Sequence, residues 1–295
     1  MMSEGVVKNM NTYEVVTQRV IEAIEDSKAL PWRRPWRTHN LKGAIPTNLS
    51  SKKQYHGINV FLLSMMGFQS PYWVTFKQAK ALGGSVCKGA KGTPVVYWSV
   101  LEKKNEETNK IEKIPFIKHS MVFNLEQCEG LEAPENNCAA PITIDPIESC
   151  ENILKGFSDK PQIVEREQQA YYSVAEDLVN MPRRSSFESA EAMYDTLFHE
   201  LIHSTAHPSR VDRKIGTMRS FFGSENYSKE ELIAQMGSSF LCAMAGIDAA
   251  TFDDSVSYLQ GWVSAFKEKP RMIVEAASQA QKAVDYILNG KKEKA

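Results

Sequence analysis

Phe198-His-Glu-Leu-Ile-His203 is the stretch from which the rest of this chain is best read. In a helix, His199 and His203 lie four residues apart on one face, so both imidazoles can reach a single ion. Glu200, one residue after the first histidine, can then take a proton from a water that the ion activates. The five-residue pattern is weak by itself, but its surroundings agree with it. Phe187, Ala190, Tyr194, Leu197, Phe198, Leu201 and Ile202 carry an apolar stripe at helical spacing through the motif, which predicts a helix over about 186–206. Ser185-x-x-Glu188 reads as its capping box and Pro208 as its stop. The competing account is a surface helix with two satisfied histidines.

A catalytic zinc site needs a third protein ligand and an open position. Glu230 and Glu231 open the next predicted helix, over about 229–244, whose small Ala234, Gly237 and Ser238 permit close approach to the first. His207 is a third candidate, but Pro208 breaks the helix beside it. Glu231 is the expected ligand with His199 and His203, although Ser228-x-x-Glu231 would serve equally as a capping box. Glu200 is the expected catalytic base, and Tyr227, Arg219 and His207 are candidate oxyanion donors. Ala170–Val179 reads as one strand, able to pair with an extended peptide substrate.

Outward from the motif, the formal charge of −1 conceals a segregation. Residues 1–26 carry a net of −3 and residues 102–295 a net of −9, whereas residues 27–101 contain eleven basic residues and no Asp or Glu. Such a field attracts polyanions in a salt-dependent way. Four of the five tryptophans lie in the same stretch, and rings among cations are what unpaired bases stack on. In Pro31-Trp-Arg-Arg-Pro-Trp-Arg37 the two prolines forbid regular structure, which places Trp32 and Trp36 on an irregular segment. The candidate single-stranded DNA contacts are Trp32, Arg33, Arg34, Trp36, Arg37, Lys52, Lys53, Tyr55, Asn59, Trp73, Lys77, Gln78, Lys80, Lys88 and Lys91. For any one aromatic, the plainer account is a place in a small domain's core. No recognition helix or zinc finger points to duplex DNA.

Residues 12–27 read as an amphipathic helix, 59–66 as a short apolar helix, 72–76 as a strand or helix lead-in, and 78–82 as a helix closed by Gly83. Thr93–Leu101 and Phe116–Leu125 look like paired strands with a solvated tip at 103–113. From 129 to about 160 no periodicity persists beyond part of a short helix at 148–155, and a last helix covers about 270–289. The expected organisation is α+β in two domains: a mixed α/β nucleic-acid-binding domain at 1–128, a connector at 129–160, and a metal-binding domain at 161–295. No apolar run approaches the ~18 residues of a membrane helix, and no signal peptide is evident. Five widely spaced cysteines without a CxxC pair argue for reduced thiols and a cytoplasmic protein.

These motifs together resemble the ArdC-type antirestriction proteins of conjugative plasmids. The N-terminal half resembles their DNA-binding domain in Trp32-x-x-Pro-Trp36, Pro46-x-Asn-x-x-Ser51, Tyr55-x-Gly-Ile-Asn59, Trp73-x-Thr-Phe-x-Gln-Ala79 and Lys88-Gly-x-Lys-Gly-Thr-Pro-Val95. The C-terminal half resembles their zincin-like metallopeptidase domain in Leu197–Arg210 and Tyr227–Ala234, with Gln235 where the family is expected to carry Glu. The resemblance implies single-stranded DNA as partner and protection of plasmid DNA from host restriction; the expected cofactor, from the HExxH spacing, is zinc or another divalent metal such as manganese. Two other functions remain open: a DNA-targeted zinc endopeptidase acting on an unknown protein, and a DNA-coating protein with a vestigial structural metal. A similar N-terminal domain occurs in TraC-type plasmid primases.

Overall fold

Val16, Val20, Ile21 and Ile24 recur at helical spacing, and burying that stripe sets helix α1 (Thr12–Ser27) against the rest of the chain. The structure is a computed structural model that describes residues 11–27, 30, 45–104, 111–134, 146–213, 225–247 and 256–290. Trp32, Arg33, Arg34, Trp36 and Arg37 fall outside the described residues, as do Arg219 and the side chain of Tyr227.

After α1 come β1 (Thr47–Asn48), α2 (Ile58–Ser64), β2 (Tyr72–Thr75), α3 (Phe76–Ala81), β3 (Ser85–Val86), β4 (Thr93–Lys104), β5 (Ile111–Asn124) and β6 (Cys128–Glu129). The main sheet has the order β1-β2-β5-β4, with β1 parallel to β2 and the other pairs antiparallel, while β3 and β6 form a separate pair. The β4–β5 ladder runs from Thr93↔Val122 to Lys104↔Ile111, beyond the expected pairing, because backbone bonds continue through polar residues without needing an apolar face.

The second half contains α4 (Pro146–Gly156), β7 (Gln162–Val164), β8 (Tyr171–Ser173), β9 (Leu178–Asn180), α5 (Ala190–Ser204), α6 (Glu225–Ala245), α7 (Val256–Glu268) and α8 (Arg271–Asn289). Helix α4 lies inside the stretch expected to be connector, and Cys150 and Phe157 at its end are fully buried. The single strand expected at 170–179 is a hairpin. Its turn passes through Asp177 at φ 47°, so β9 becomes the buried centre of the β7-β9-β8 sheet and only β8 remains at that edge. Helix α7 was not anticipated, although Leu259, Trp262 and Phe266 carry its buried stripe.

The two domains share one continuous buried cluster, in which α1 and α2 meet α7 and α8. Phe61 stacks on Phe240 with ring centroids 4.7 Å apart, and Thr17 Oγ1 donates to the Pro270 carbonyl at 2.7 Å. Gly57 takes φ +57°, which L side chains rarely adopt, and its N–H donates to Gln281 Oε1 at 3.0 Å. Each large side chain fully buried there stabilises the fold by roughly 1.5–3 kcal/mol.

Candidate metal centre and nucleic-acid interface

Helix α5 starts later than its sequence indicates. Arg184–Ser186 make a single 3-10 turn, and Ser189, extended at φ −152°, caps the helix by accepting from the Ala192 N–H at 3.1 Å. Ser185 and Glu188 therefore form no capping box. The helix ends at Ser204, ahead of Pro208, where the hydroxyls of Ser204 and Thr205 donate back to the carbonyls of Leu201 and Ile202. Helix α6 begins at Glu225, so Ser228 lies inside it and Ser228-x-x-Glu231 is not its cap either.

The small residues of α6 do what their size permits. Ala234 is fully buried, and a Cβ added to Gly237 would lie 2.7 Å from Ile202 Cδ1, so α6 packs on α5 at glycine distance. That approach brings Glu231 over the HExxH face. His199 Nε2 and His203 Nε2 lie 3.1 Å apart, Glu231 Oε2 is 3.4 Å from His199 Nε2, and Glu231 Oε1 is 3.3 Å from His203 Nε2. Donors bonded to one tetrahedral ion at ~2.1 Å sit about 3.4 Å from each other. The three side chains therefore fit a divalent cation, and their donor atoms all lie within 4.8 Å.

Electrostatics reports the same convergence. Burial by itself would lower the His203 pKa, but hydrogen bonds to Glu230 and Glu231 push it up to about 10. Burial would raise the Glu231 carboxyl, yet His199 and His203 hold it well below the usual carboxylate range. The buried Glu200 adds its negative charge to the field at His203.

Glu230 turns the other way. Its Oε1 lies 3.5 Å from His203 Nδ1, the ring nitrogen on the far side from the cluster, and it accepts from Arg213 Nη2 at 2.5 Å. Arg213 also donates to Thr205 Oγ1 at 2.5 Å and to the Ile202 carbonyl at 2.9 Å, locking Glu230 to the end of α5. A carboxylate on the far nitrogen fixes a ligand imidazole's tautomer and orientation. His207 stands apart with Nδ1 against Ser209 Oγ at 2.7 Å. The donor set also closes without Gln235, so the expected Glu at that position is not needed for three ligands.

Sequence reasoning gave Arg210 no role beyond closing the Leu197–Arg210 motif and missed Arg213. Arg210 donates to both carboxylate oxygens of Asp177, at 2.8 and 2.9 Å, and to the carbonyls of Ser204 and Asp159, tying α5 to the β8–β9 turn. Their place after a proline turn reads locally as surface, and no spacing signals their partners.

Among the candidate DNA contacts, Lys52, Lys53, Lys77, Lys80, Lys88 and Lys91 are all exposed. They share one end of the main sheet, because Thr75, Val122 and Thr93 are register neighbours and parallel β1 delivers its turn to the same end. Trp73 is a correction to the expected contact set. Its ring is 2 % exposed, packed edge-on to Phe68 at 5.5 Å with Leu63, Val95 and Val122, since both its strand neighbours and α2 cover it. Asn59 is occupied with backbone, exchanging bonds with Val96 N–H and C=O at 2.7 and 2.8 Å along the sheet edge. Gln78 closes the capping box of α3 with Thr75 and accepts from Asn48 Nδ2, which also reaches the half-buried Tyr55 hydroxyl. These three act as framework in this structure. Trp98 and Tyr97, outside the expected set, are the exposed rings of β4.

An HExxH helix met by a glutamate from the next long helix, beside a small sheet, has the form of a zincin-like metallopeptidase centre. Two family models match the chain: the N-terminal domain of anti-restriction factor ArdC over residues 10–123, and a zincin-like metallopeptidase over residues 149–279. The antirestriction ArdC protein from plasmid R388 is similar in its metal-free and Mn(II)-bound crystal structures, at 36 % and 35 % identity, with a TM-score of 0.75 in both. That likeness covers 95 % of this chain and 98 % of the R388 chain. The uncharacterized protein y4eC of Sinorhizobium fredii (strain NBRC 101917 / NGR234) is 30 % identical over 93 % of this chain and 91 % of its own. A DNA primase TraC of Escherichia coli is 35 % identical over 94 % of this chain, but the match spans only 27 % of that primase. The chain thus belongs to the ArdC antirestriction family, with an ArdC N-terminal domain joined to a zincin-like domain. Among the described residues no helix is long and apolar enough to cross a membrane.

Proposed function

We propose that this chain binds single-stranded DNA of a conjugative plasmid or mobile element, protects it from host restriction on entry, and carries a zinc-dependent peptidase centre. The observation that carries this reading is end-to-end similarity to an antirestriction protein together with a donor set of tetrahedral spacing. The acid-free stretch and the six lysines at one sheet end support the DNA partner.

His199, His203 and Glu231 would hold the metal, whose chemistry when bound is to polarise a carbonyl and acidify a water. Two nitrogens and a carboxylate suit zinc, and the Mn(II)-bound relative makes manganese the alternative. Glu200, next to His199 in the motif, would accept a proton and return it to a leaving amine. Glu230 and Arg213 keep the His203 ring in place, and β8, one of the two edge strands of its sheet, offers backbone to an extended peptide.

The decisive experiment compares wild type with Glu200→Gln in an antirestriction assay and in oligonucleotide binding. Equal binding with lost protection assigns the protection to peptidase chemistry on a protein target. Equal binding with full protection assigns it to DNA coating and leaves the metal a structural part. Absence of single-strand binding in the wild type would reject the proposal.

A further inference from the structure

A cleft of about 900 Å³ opens where the two domains meet, between the start of α1, the arm of the β4–β5 hairpin, and the adjoining parts of α6 and α8. It is separate from the metal centre, whose three donors are absent from its walls. Its chemistry differs from that of the half that supplies most of it. Residues 102–295 carry more acids than bases, yet α6, α8 and the bend between α7 and α8 send Lys229, Lys269 and Arg271 to this cleft and a single acid, Glu275. Glu275 is held by Lys229 at 2.6 Å, and the other wall carboxylate, Glu14, accepts from the Asn11 N–H at 2.8 Å.

The rings facing it are of the kind that stack. Trp98 is 60 % exposed although it stands on a paired strand, where a large indole is normally covered. The Arg271 guanidinium lies 5.1 Å from the Tyr13 ring centroid, and Lys118, itself not a wall residue, lies 4.9 Å from that of Phe116. Aromatic faces alternating with cations form a platform for unpaired bases and a track for their phosphates. Trp98 stands five residues along β4 from Thr93, where the lysine end of the sheet begins, or ~17 Å at strand rise. The hairpin therefore links the six exposed lysines to the cleft.

We infer that the single strand does not stop at the N-terminal domain: it follows the β4–β5 arm into the interdomain cleft, where Trp98 stacks a base and Lys269 and Arg271 contact phosphates. This rests on the single-strand reading proposed above and extends it to residues of the peptidase-like domain. Strand entry there sets the metal-binding domain beside whatever protein occupies the same DNA.

The test uses the full-length chain and fluorescence anisotropy with a labelled oligothymidylate at several salt concentrations. Trp98→Ala is expected to weaken binding ~5- to 160-fold, the effect of losing one stacked base, and Trp98→Phe to restore most of it. The Lys269→Gln/Arg271→Gln pair is expected to flatten the slope of log affinity against log salt by about 1.4. Zinc affinity should be the same in all these proteins, which reports that the fold is intact. Wild-type affinity and slope in every variant would overturn the cleft assignment alone, leaving the DNA on the lysine end and the cleft to a protein partner. Failure of the wild type to bind at all would remove both readings.

Discussion

At the metal centre, three donors lie within 4.8 Å of one another, and behind them Arg213 and Glu230 are both buried. At the lysine end of the sheet, six ammonium groups stand in solvent, and none of them pairs with a described carboxylate. As a metal site, the first region would work through geometry, since a donor displaced by an ångström would no longer reach the ion. As a DNA-binding surface, the second would work through summed charge, where each contact is weak, screened by salt and replaceable by a neighbour. Substitutions should therefore act sharply at one site and gradually at the other.

The largest effect is expected from Glu231→Ala, which removes one of three donors. Zinc affinity measured by calorimetry should fall by more than the ~10- to 100-fold typical of a supporting residue, with oligonucleotide affinity unchanged. Retained zinc affinity would mean that another side chain completes the site. Next comes Arg213→Ala, which strands the Glu230 carboxylate in a buried place and should destabilise the protein by ~3–5 kcal/mol in urea unfolding. Arg213→Ala combined with Glu230→Gln should recover part of that stability but not zinc affinity, because His203 Nδ1 has then lost its carboxylate. Recovery of both would reduce the pair to a fold-stabilising role.

A smaller and graded effect is expected from Lys77→Gln/Lys80→Gln. The salt slope of single-strand binding should flatten by about 1.4 with zinc affinity untouched. A change in zinc affinity would break the proposed independence of the two regions.

The smallest effect concerns pH. Although burial pushes the Asp177 carboxyl up, hydrogen bonds from Arg210 and Tyr172 pull it below its ordinary value. A carboxyl lowered in the native state stabilises the fold above its unfolded value, about pH 4, and loses that contribution as pH falls through the lowered value. Melting temperatures of wild type and Asp177→Asn should therefore differ most at neutral pH and converge under acid. A constant gap would show that the Arg210 contact acts through shape and not charge.

Much of the metal centre was legible because its signals are short. His199 and His203 are fixed relative to each other by 3.6 residues per turn, and Ala234 and Gly237 announced a close helix pair by size alone. The sequence favours Glu231 over Glu230, but local spacing does not fix that choice. Adjacent residues on a helix point about 100° apart, and only the rotation of α6 against α5 tells which one meets the imidazoles. The caps were misread for a related reason. Ser185 and Ser228 have the right spacing to a glutamate, but cap choice depends on where the preceding backbone leaves extended or turn geometry. Trp73 shows the limit on the other side. A tryptophan among lysines has the composition of a stacking platform, and its burial follows from β5 and α2 closing over β2, contacts made by residues far along the chain.

The amino-acid order alone determined the charge segregation, the HExxH helix and the α+β division, because each is carried by neighbours within a few turns or by composition over a long window. Tertiary packing alone decided which glutamate faces the histidines, that Arg213 and Glu230 stand behind His203, that Trp73 is core while Trp98 is surface, and that a cationic cleft opens between the domains. Those outcomes depend on the rotation and closure of elements distant in the chain. No local spacing encodes such quantities, and burial of apolar surface settles them only once the whole core has formed.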